Sequence, residues 1–512
     1  MFLAARFAWT VFGALDVFAD YHAYYRAAAN LRAGDDLYAE GRLLVARDSY
    51  DFWTQTDGQY VYPPALAAAL LPLTLVSIGQ GGAIWLLGLV LGTLAFLWLA
   101  ARACGRAVGW RSFLAVVLPV AGVLPLALGV RYGLVARYPL FLAGLALSGC
   151  FAWLLVARRA GRATDLVALA LAAAGFLALL LGLRDGQIDR FLLALALPGI
   201  LGTLAFAWWG GRAAVWRELR RDFGALAPLA LPILGGVPLL LGIQYGQSDL
   251  FLLLLTTGSL LAHRRRWDIL AGIALGAAAA VKPTLALYGL FYLRKRSWTT
   301  LGAAALVGAA LGLAPFAPLG GGALTDWLVI SRYFGAGEYL AYPTNGALRG
   351  VLLRAFVGGP LHAPLIVSRP LAVGLWLILA GAALLAWWRA VGSGRDGERA
   401  VPEWSLTAAL ILFAAPLSED IHFVGILLPL ALLADRLARG AATARWRALA
   451  IVACLIFILP LVEWGERVAT GTVPRLLVTA IYLGGLILVG AALATTPRGG
   501  VRRDSRFVTP DS

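Results

Sequence analysis

A dense group of polar and aromatic side chains follows the first apolar run of the chain, residues 3–19. The group comprises Asp16, Asp20, Tyr21, His22, Tyr24, Tyr25 and Arg26. A carboxylate at the end of an apolar helix is partly desolvated, which raises its pKa and makes it a better base. Asp20, followed by Tyr24 and Tyr25 one helical turn on, is the candidate for that chemistry. The same residues also suit an aromatic belt at a membrane surface with a simply hydrated carboxylate, so residue types alone leave both interpretations open.

Two further segments place charged groups beside apolar runs. Lys282 follows the run Ala271–Val281, precedes Pro283 and is one of only two lysines. A cation there can bind a lipid phosphate, or it can be a lysine whose amine reaches the membrane surface. The insert Ser418–His422 combines two acids with a histidine, which is typical of a metal or phosphate site. A solvated turn with an aspartate cap is the alternative for this insert.

Other candidate residues have simpler interpretations. Asp189 and Asp249 each begin an apolar run, which favours helix N-capping over a ligand role. The three cysteines show no pairing or metal-ligand spacing, so we expect small buried apolar side chains. The sequence has no His-x-x-x-His, Cys-x-x-Cys or phosphate-binding loop and no serine-hydrolase motif, which argues against ATP hydrolysis and serine-hydrolase chemistry.

The composition indicates which elements position these residues. Of 512 residues, 61% are hydrophobic and 14% charged, whereas a soluble chain carries about 25% charge. This composition excludes soluble, disordered and disulfide-rich proteins, and apolar runs near 20 residues without alternation exclude an outer-membrane barrel. The net charge of +16 does not indicate nucleic-acid binding, because the arginines form short clusters between apolar runs, where they set membrane orientation. The sequence therefore predicts an all-α polytopic membrane protein.

The apolar runs predict about 13–16 membrane segments within a single transmembrane domain, residues 1–495, followed by a cytoplasmic tail, 496–512. The first run, 3–19, is expected to be an uncleaved span. Runs 249–262, 268–281 and 284–293 are too short to cross straight and are expected to be broken or re-entrant helices. Most arginine clusters fall on one side when the spans alternate, which places both termini in the cytoplasm.

Two long segments then lie outside. They are 20–81, which is acidic and ends in Tyr62-Pro63-Pro64 and a short apolar stretch expected to lie along the interface, and 317–369, which is rich in aromatic residues. Loops of this length are usually functional.

A Gly-x-x-x-Gly unit occurs three times, at Gly129, Gly182 and Gly242. It predicts three similar helix hairpins packed side by side, 112–162, 164–212 and 225–266, of which only the third leads into Lys282 and is expected to border a site. Convergence of turns in a biased composition is the alternative.

The order of the motifs resembles glycosyltransferase family 87. The similar segments are Asp20-Tyr-His-Ala-Tyr24-Tyr25, Val61-Tyr62-Pro63-Pro64, Tyr245-Gly246-Gln247-Ser248-Asp249, Val281-Lys282-Pro283, Asn345 with Leu348 and Arg354, and Pro416–His422. The resemblance covers about residues 15–435 and departs at Asn345-Gly346-Ala347, where the family has Asn-Gln-Ser.

The resemblance implies a GT-C-like helical bundle with a long first outer loop. Members transfer mannose, or in some cases arabinofuranose, from a polyprenyl-phosphate sugar at the outer face of the bacterial plasma membrane. They usually invert the anomeric centre in one displacement. The implied partners are therefore the polyprenyl-phosphate sugar donor and a lipid or glycan acceptor, with no cofactor, no resident metal and no nucleic acid.

The resemblance also implies roles for individual residues. Asp20 falls where the family has its essential aspartate and is expected to be the general base. Asp16, one turn deeper, is the rival candidate and is expected to be too buried to reach an acceptor. Lys282 and His422 are expected to hold the donor phosphate. The remaining substrate-binding candidates are Tyr24, Tyr25, Tyr62, Tyr245, Gln247 and Asn345.

Two other classes of protein have the same overall composition. A lipid or sugar transporter typically carries ionisable residues near mid-membrane and inverted repeats, whereas here these residues gather at the outer face and the repeat is parallel. A structural assembly subunit would not need the long acidic first loop.

Overall fold

The protein is described by a computed structural model over residues 2–47, 59–131, 179, 183, 189–210, 213–336, 338–358, 363–394, 397, 399–440, 443–469 and 472–495. Within these ranges all regular elements are helical, and the one extended pairing is an isolated bridge between Asn345 and Glu419. The predicted all-α class is confirmed.

The α-helices follow one another with short connections. The first eleven are α1 (Phe2–Gly13), α2 (Ala19–Ala33), α3 (Ala39–Arg47), α4 (Pro64–Leu70), α5 (Ile78–Ala103), α6 (Trp110–Arg131), α7 (Arg190–Gly210), α8 (Ala213–Leu234), α9 (Val237–Tyr245), α10 (Asp249–Arg264) and α11 (Asp268–Val281). The others are α12 (Gly289–Arg294), α13 (Trp298–Leu313), α14 (Gly321–Ala336), α15 (Leu348–Phe356), α16 (Arg369–Ala390), α17 (Ala400–Ala414), α18 (Leu427–Ala438), α19 (Ala444–Ile458), α20 (Leu461–Val468), α21 (Thr472–Thr479) and α22 (Ile481–Ala494). Tight 3₁₀ turns cover Ala14–Asp16, Leu71–Leu75, Pro283–Tyr288, Ala314–Leu319, Glu338–Ala341 and Asp420–Ile426.

Several helices in the described ranges are long and apolar enough to cross a membrane. Five qualify singly: Ile78–Ala103, Trp110–Gly129, Trp298–Leu319, Arg369–Ala390 and Asp420–Ala438. Two bent pairs, α8 with α9 and α21 with α22, raise the number to as many as seven. The chain is therefore a polytopic membrane protein. The figure of 13–16 segments also counts shorter runs and residues outside the described ranges, and it stays a prediction.

The structure divides the first apolar run differently from the prediction of one span over 3–19. Helix α1 ends at Gly13, a 3₁₀ turn follows, and the chain bends at Phe18, whose φ is 22°. The bend separates α1 from α2, so that Asp20 lies in the first turn of a new helix. The run 284–293 is likewise divided into a 3₁₀ turn and α12, because Pro283 ends α11.

The two long segments predicted to lie outside are largely helical and contact each other. Helix α14 of the second packs on α3 of the first. Arg42 Nη1 donates to Asp326 Oδ2 over 2.7 Å, and Trp327 Nε1 donates to the Val61 carbonyl over 3.2 Å. The two segments therefore form one connected cap on one end of the bundle.

Close helix packing fixes the position of α11, which leads into Lys282. A Cβ atom on Gly272 would lie 2.4 Å from the Thr300 carbonyl oxygen, and one on Gly276 would lie 2.6 Å from that of Ala304. Glycine at these two positions lets the backbones of α11 and α13 approach directly, as small residues do between membrane helices.

The predicted repeat is only partly covered by the structure. Much of the hairpins 112–162 and 164–212 lies outside the described residues, so their similarity stays a prediction. The third hairpin, 225–266, is formed by the end of α8, by α9 and by α10, with a sharp bend of 65° between α8 and α9.

Candidate active site

Tight packing places the first turn of α2 against the tip of the third hairpin. Gly246 ends α9 with φ +73°, and a Cβ atom there would lie 2.8 Å from Tyr21 Cβ. The Gly246 carbonyl accepts a hydrogen bond from Trp85 Nε1 over 2.8 Å. Glycine is needed here both for the left-handed backbone and for the contact with α2. The contact brings Gln247 to Asp20.

The Gln247 carboxamide is buried and connects Asp20 to two tyrosines. Its Nε2 donates to Asp20 Oδ2 over 2.7 Å. Its Oε1 accepts from the hydroxyls of Tyr24 over 3.0 Å and Tyr62 over 3.4 Å. Asp20 Oδ1 makes no hydrogen bond with any described residue. One carboxylate oxygen is therefore held in place, while the other is available.

Burial raises the pKa of Asp20 to about 7. The charge of Glu419 acts in the same direction, the Gln247 hydrogen bond opposes it, and smaller contributions come from Asp249, which raises the pKa, and Lys282, which lowers it. An aspartate with this pKa is half ionised near neutral pH, as suits a general base.

Asp249 pairs with Lys282 at the start of α10. Lys282 Nζ donates to Asp249 Oδ1 over 2.8 Å, and the two side chains are only 17% and 10% exposed. The predicted N-capping role of Asp249 is therefore wrong, because its carboxylate is drawn to the lysine that emerges from α11. The same prediction for Asp189 is confirmed, since its Oδ1 accepts from the Leu192 amide over 3.0 Å.

His422 lies on the 3₁₀ turn beyond Glu419. Its Nδ1 accepts the Glu419 amide proton over 3.3 Å, and its Nε2 lies 3.7 Å from Glu419 Oε2. Glu419 Oε1 accepts from the Tyr339 hydroxyl. Burial raises the pKa of Glu419, although the Tyr339 hydrogen bond opposes that effect. Ser418 and Glu419 are buried, so the alternative of a solvated turn for this insert is wrong.

One cavity joins these groups. Its non-atom space is about 570 Å³ with the open solvent at its mouth included. The polar part of its wall is formed by Asp249, Lys282, Ser418 and His422. The apolar part is formed mainly by Leu252, Leu253, Leu285, Ile411, Leu412 and Ala415. A cation and an imidazole at one end of an apolar cavity can accommodate a phosphate attached to a hydrocarbon chain.

Tyr24, Tyr62 and Tyr245 border this region. Tyr24 and Tyr62 reach it through Gln247, and Tyr245 lies within electrostatic range of Asp20 and Glu419.

Two predicted substrate-binding residues serve the scaffold instead. The Tyr25 hydroxyl donates to the Val76 carbonyl over 2.7 Å, away from Gln247. Asn345 is fully buried, and its amide binds the carbonyls of Leu340 and Pro416 and the amides of Ala347 and Ser418. A side chain with all of these partners inside the protein holds two loops together, and it has no free group for a ligand.

Asp16 belongs to a different environment from Asp20. Its side chain is 48% exposed and pairs with Arg131 Nη2 at 3.2 Å. The expectation that Asp16 is too buried to reach an acceptor is therefore wrong. The break at Phe18 turns α2 away from the preceding 3₁₀ turn, which separates the two carboxylates.

Sequence reasoning missed two features of the site. One is the Asp249 counter-ion, which the isolated Lys282 in an apolar run signals, because such a charge needs a partner. The other is Trp85, which binds the Gly246 carbonyl and lies 6.3 Å from the Tyr24 ring. Among the described residues, no three His, Cys, Asp or Glu side chains form a group that could hold a metal ion.

An all-α polytopic membrane protein with a buried carboxylate beside an amphipathic cavity defines the class. The family follows from comparison with known proteins: residues 198–418 match the model of glycosyltransferase family 87. This match confirms the family predicted from the sequence motifs, and it indicates a glycosyltransferase. It contains Gln247, Asp249 and Lys282 and ends at Ser418, whereas Asp20 lies outside it. No curated protein and no solved structure gave a significant match.

Proposed function

We propose that the protein transfers a sugar from a polyprenyl-phosphate donor to a lipid or polysaccharide acceptor at the outer face of a bacterial plasma membrane. Mannose is the proposed sugar, with arabinofuranose as the alternative. The observation that carries the proposal is the position of Asp20, held by Gln247 within electrostatic range of Lys282 and Glu419.

Asp20 is the proposed general base. Its carboxylate takes the proton from the acceptor hydroxyl while the hydroxyl oxygen bonds to the anomeric carbon of the donor. The bond from that carbon to the phosphate oxygen breaks, and polyprenyl phosphate leaves with the electron pair. One displacement of this kind inverts the anomeric centre. The free Oδ1 is the atom that accepts the proton, because Oδ2 is occupied by Gln247.

Lys282 and His422 are the proposed contacts for the donor phosphate. An ammonium group has three donors, and Asp249 uses one of them, so Lys282 can bind a phosphate oxygen without losing its partner. The apolar wall of the cavity takes the first units of the polyprenyl chain. Tyr24, Tyr62 and Tyr245 border the space between Asp20 and the cavity and are the proposed sugar contacts.

The placement outside the membrane is part of the proposal. It is supported by the contacts between the two long segments, Arg42 with Asp326 and Trp327 with Val61, since segments that pack together must lie on the same side. The arginine distribution assigns that side to the exterior.

The experiment uses the purified protein in vesicles with a radiolabelled polyprenyl-phosphate sugar and a membrane extract as acceptor. We expect labelled glycan with the wild type and none with Asp20→Asn, in both the mannose and the arabinofuranose arm or in one of them. Movement of labelled donor between leaflets without any glycan product would contradict the proposal and indicate a transporter.

A further inference from the structure

Four arginines meet at the end of the bundle opposite the candidate site. We name Arg106, Arg264, Arg436 and Arg439 the inner arginine cluster. Arg106 and Arg439 both bind the Asp435 carboxylate, Arg439 Nη2 donates to the Cys104 carbonyl over 2.8 Å, and Arg264 Nη1 donates to the Ala103 carbonyl over 2.9 Å. The four side chains thus surround the turn that ends α5.

Positive charge in this cluster is only partly compensated. Asp435 is the carboxylate that pairs with it among the described residues. The nearest acids on α8 are used elsewhere, since Glu218 pairs with Arg111, and Asp222 binds Ser112 and the Gly109 amide. Four guanidinium groups and one carboxylate leave a local excess of positive charge, which favours binding of an anion.

Arg436 supplies an independent sign of a missing partner. Its Nη1 is buried and has no hydrogen-bond acceptor among the described residues. A buried guanidinium donor is costly to leave unpaired. Phosphate oxygens are the acceptors that arginine forks fit best.

The position of the cluster distinguishes a lipid from a soluble anion. It lies at the ends of two helices that qualify as membrane spans, Ile78–Ala103 and Asp420–Ala438. Helix ends of this kind lie at the depth of phospholipid headgroups. Each arginine of the cluster is at least partly exposed, so a headgroup can reach it from the side.

We propose that the inner arginine cluster binds the phosphate of an anionic phospholipid headgroup. Phosphatidylglycerol and cardiolipin have this chemistry, whereas phosphatidylcholine carries a compensating cation. The arginine distribution places this lipid in the cytoplasmic leaflet. The proposal does not depend on the reaction at Asp20.

The test measures lipid binding and thermal unfolding of the full-length protein in a neutral detergent. Phosphatidylglycerol, phosphatidylcholine and inorganic phosphate are titrated separately. We expect phosphatidylglycerol to bind and to raise Tm, and Arg436→Gln to weaken that binding about tenfold or more, as the loss of a charge-assisted hydrogen bond would.

Arg389→Gln is the matched control, because Arg389 is an exposed arginine in the last turn of α16 and outside the cluster. It should leave binding within about twofold of the wild type, well short of the expected charge-assisted effect. If Arg436→Gln does not fold, Arg264→Gln serves in its place. Equal binding of phosphatidylglycerol by variant and wild type would overturn the proposal. A cluster-dependent response to inorganic phosphate equal to that of the lipid would overturn the assignment to a lipid.

Discussion

Gln247→Leu tests whether the buried carboxamide controls the proton affinity of Asp20. The amide Nε2 of Gln247 donates to Asp20 Oδ2 over 2.7 Å and stabilises the ionised carboxylate. Leucine has a similar volume and no donor, so the carboxylate loses this stabilisation while burial and the charge of Glu419 still oppose ionisation. The pKa of Asp20 should therefore rise above its value of about 7.

The size of the effect follows from the strength of the lost bond. A hydrogen bond to a charged group contributes about 1.5–3 kcal/mol, and one pKa unit corresponds to about 1.4 kcal/mol, so the shift is about one to two units. The base must be ionised to work, so activity rises with pH through the pKa of Asp20. At pH 7 the variant should be about 5–50 times slower, because a smaller fraction of Asp20 is ionised. At high pH most of the rate should return.

The assay is the pH dependence of kcat/KM with a radiolabelled polyprenyl-phosphate sugar. The midpoint on the acid side should move from about pH 7 in the wild type to about pH 8–9 in Gln247→Leu. Gln244→Leu is the matched control, because Gln244 lies one residue before Tyr245 on the same helix and makes no described side-chain hydrogen bond. An unchanged midpoint in Gln247→Leu would refute this role, and a raised KM at every pH would return Gln247 to the predicted substrate-binding group.

Three further predictions concern the surroundings of Asp20. Lys282→Gln combined with Asp249→Asn removes the ion pair without leaving a buried charge, so the protein should fold while the donor KM rises at least tenfold, as for a lost charge-assisted contact; an unchanged KM would exclude Lys282 from the donor site. Asn345→Ala should lower the free energy of unfolding by at least about 2 kcal/mol, because buried loop amides and carbonyls lose their partners, whereas Tyr25→Phe should keep near wild-type activity; denaturant unfolding and turnover measure the two, and a specific rise in KM in either would show a substrate contact. Gly246→Ala should reduce both stability and activity in the same two assays, because alanine is strained at φ +73° and meets Tyr21, while Gly258, which lies within α10 and has open space around it, should accept alanine without loss.

The parts of the structure that depend on composition and local pattern were predictable from the sequence. Apolar runs and arginine clusters indicate a helical membrane protein, and the isolated Lys282 and the acid-rich Ser418–His422 insert mark the cavity wall. The family match over 198–418 agrees with the motifs. These signals are local, because each arises from a charged group beside a long apolar segment.

The remaining features depend on long-range contacts. The bend at Phe18 is a backbone conformation that no residue pattern specifies, and it decides that Asp20, and not Asp16, meets Gln247. Asn345 looks like a ligand contact in a motif, yet it joins carbonyls of residues 340 and 416, which are adjacent only in the folded chain. Asp249 begins a helix as an N-cap does, but Lys282, 33 residues away, binds it instead.

Turnover of Asp20→Asn tests the central claim most directly. Asparagine keeps the shape of the side chain and can still accept the Gln247 hydrogen bond, but it cannot take a proton. The account predicts a rate lower by about 10²–10⁴-fold with donor binding retained. Full activity of Asp20→Asn would contradict it, and a dead Asp16→Asn in the same experiment would move the base to Asp16.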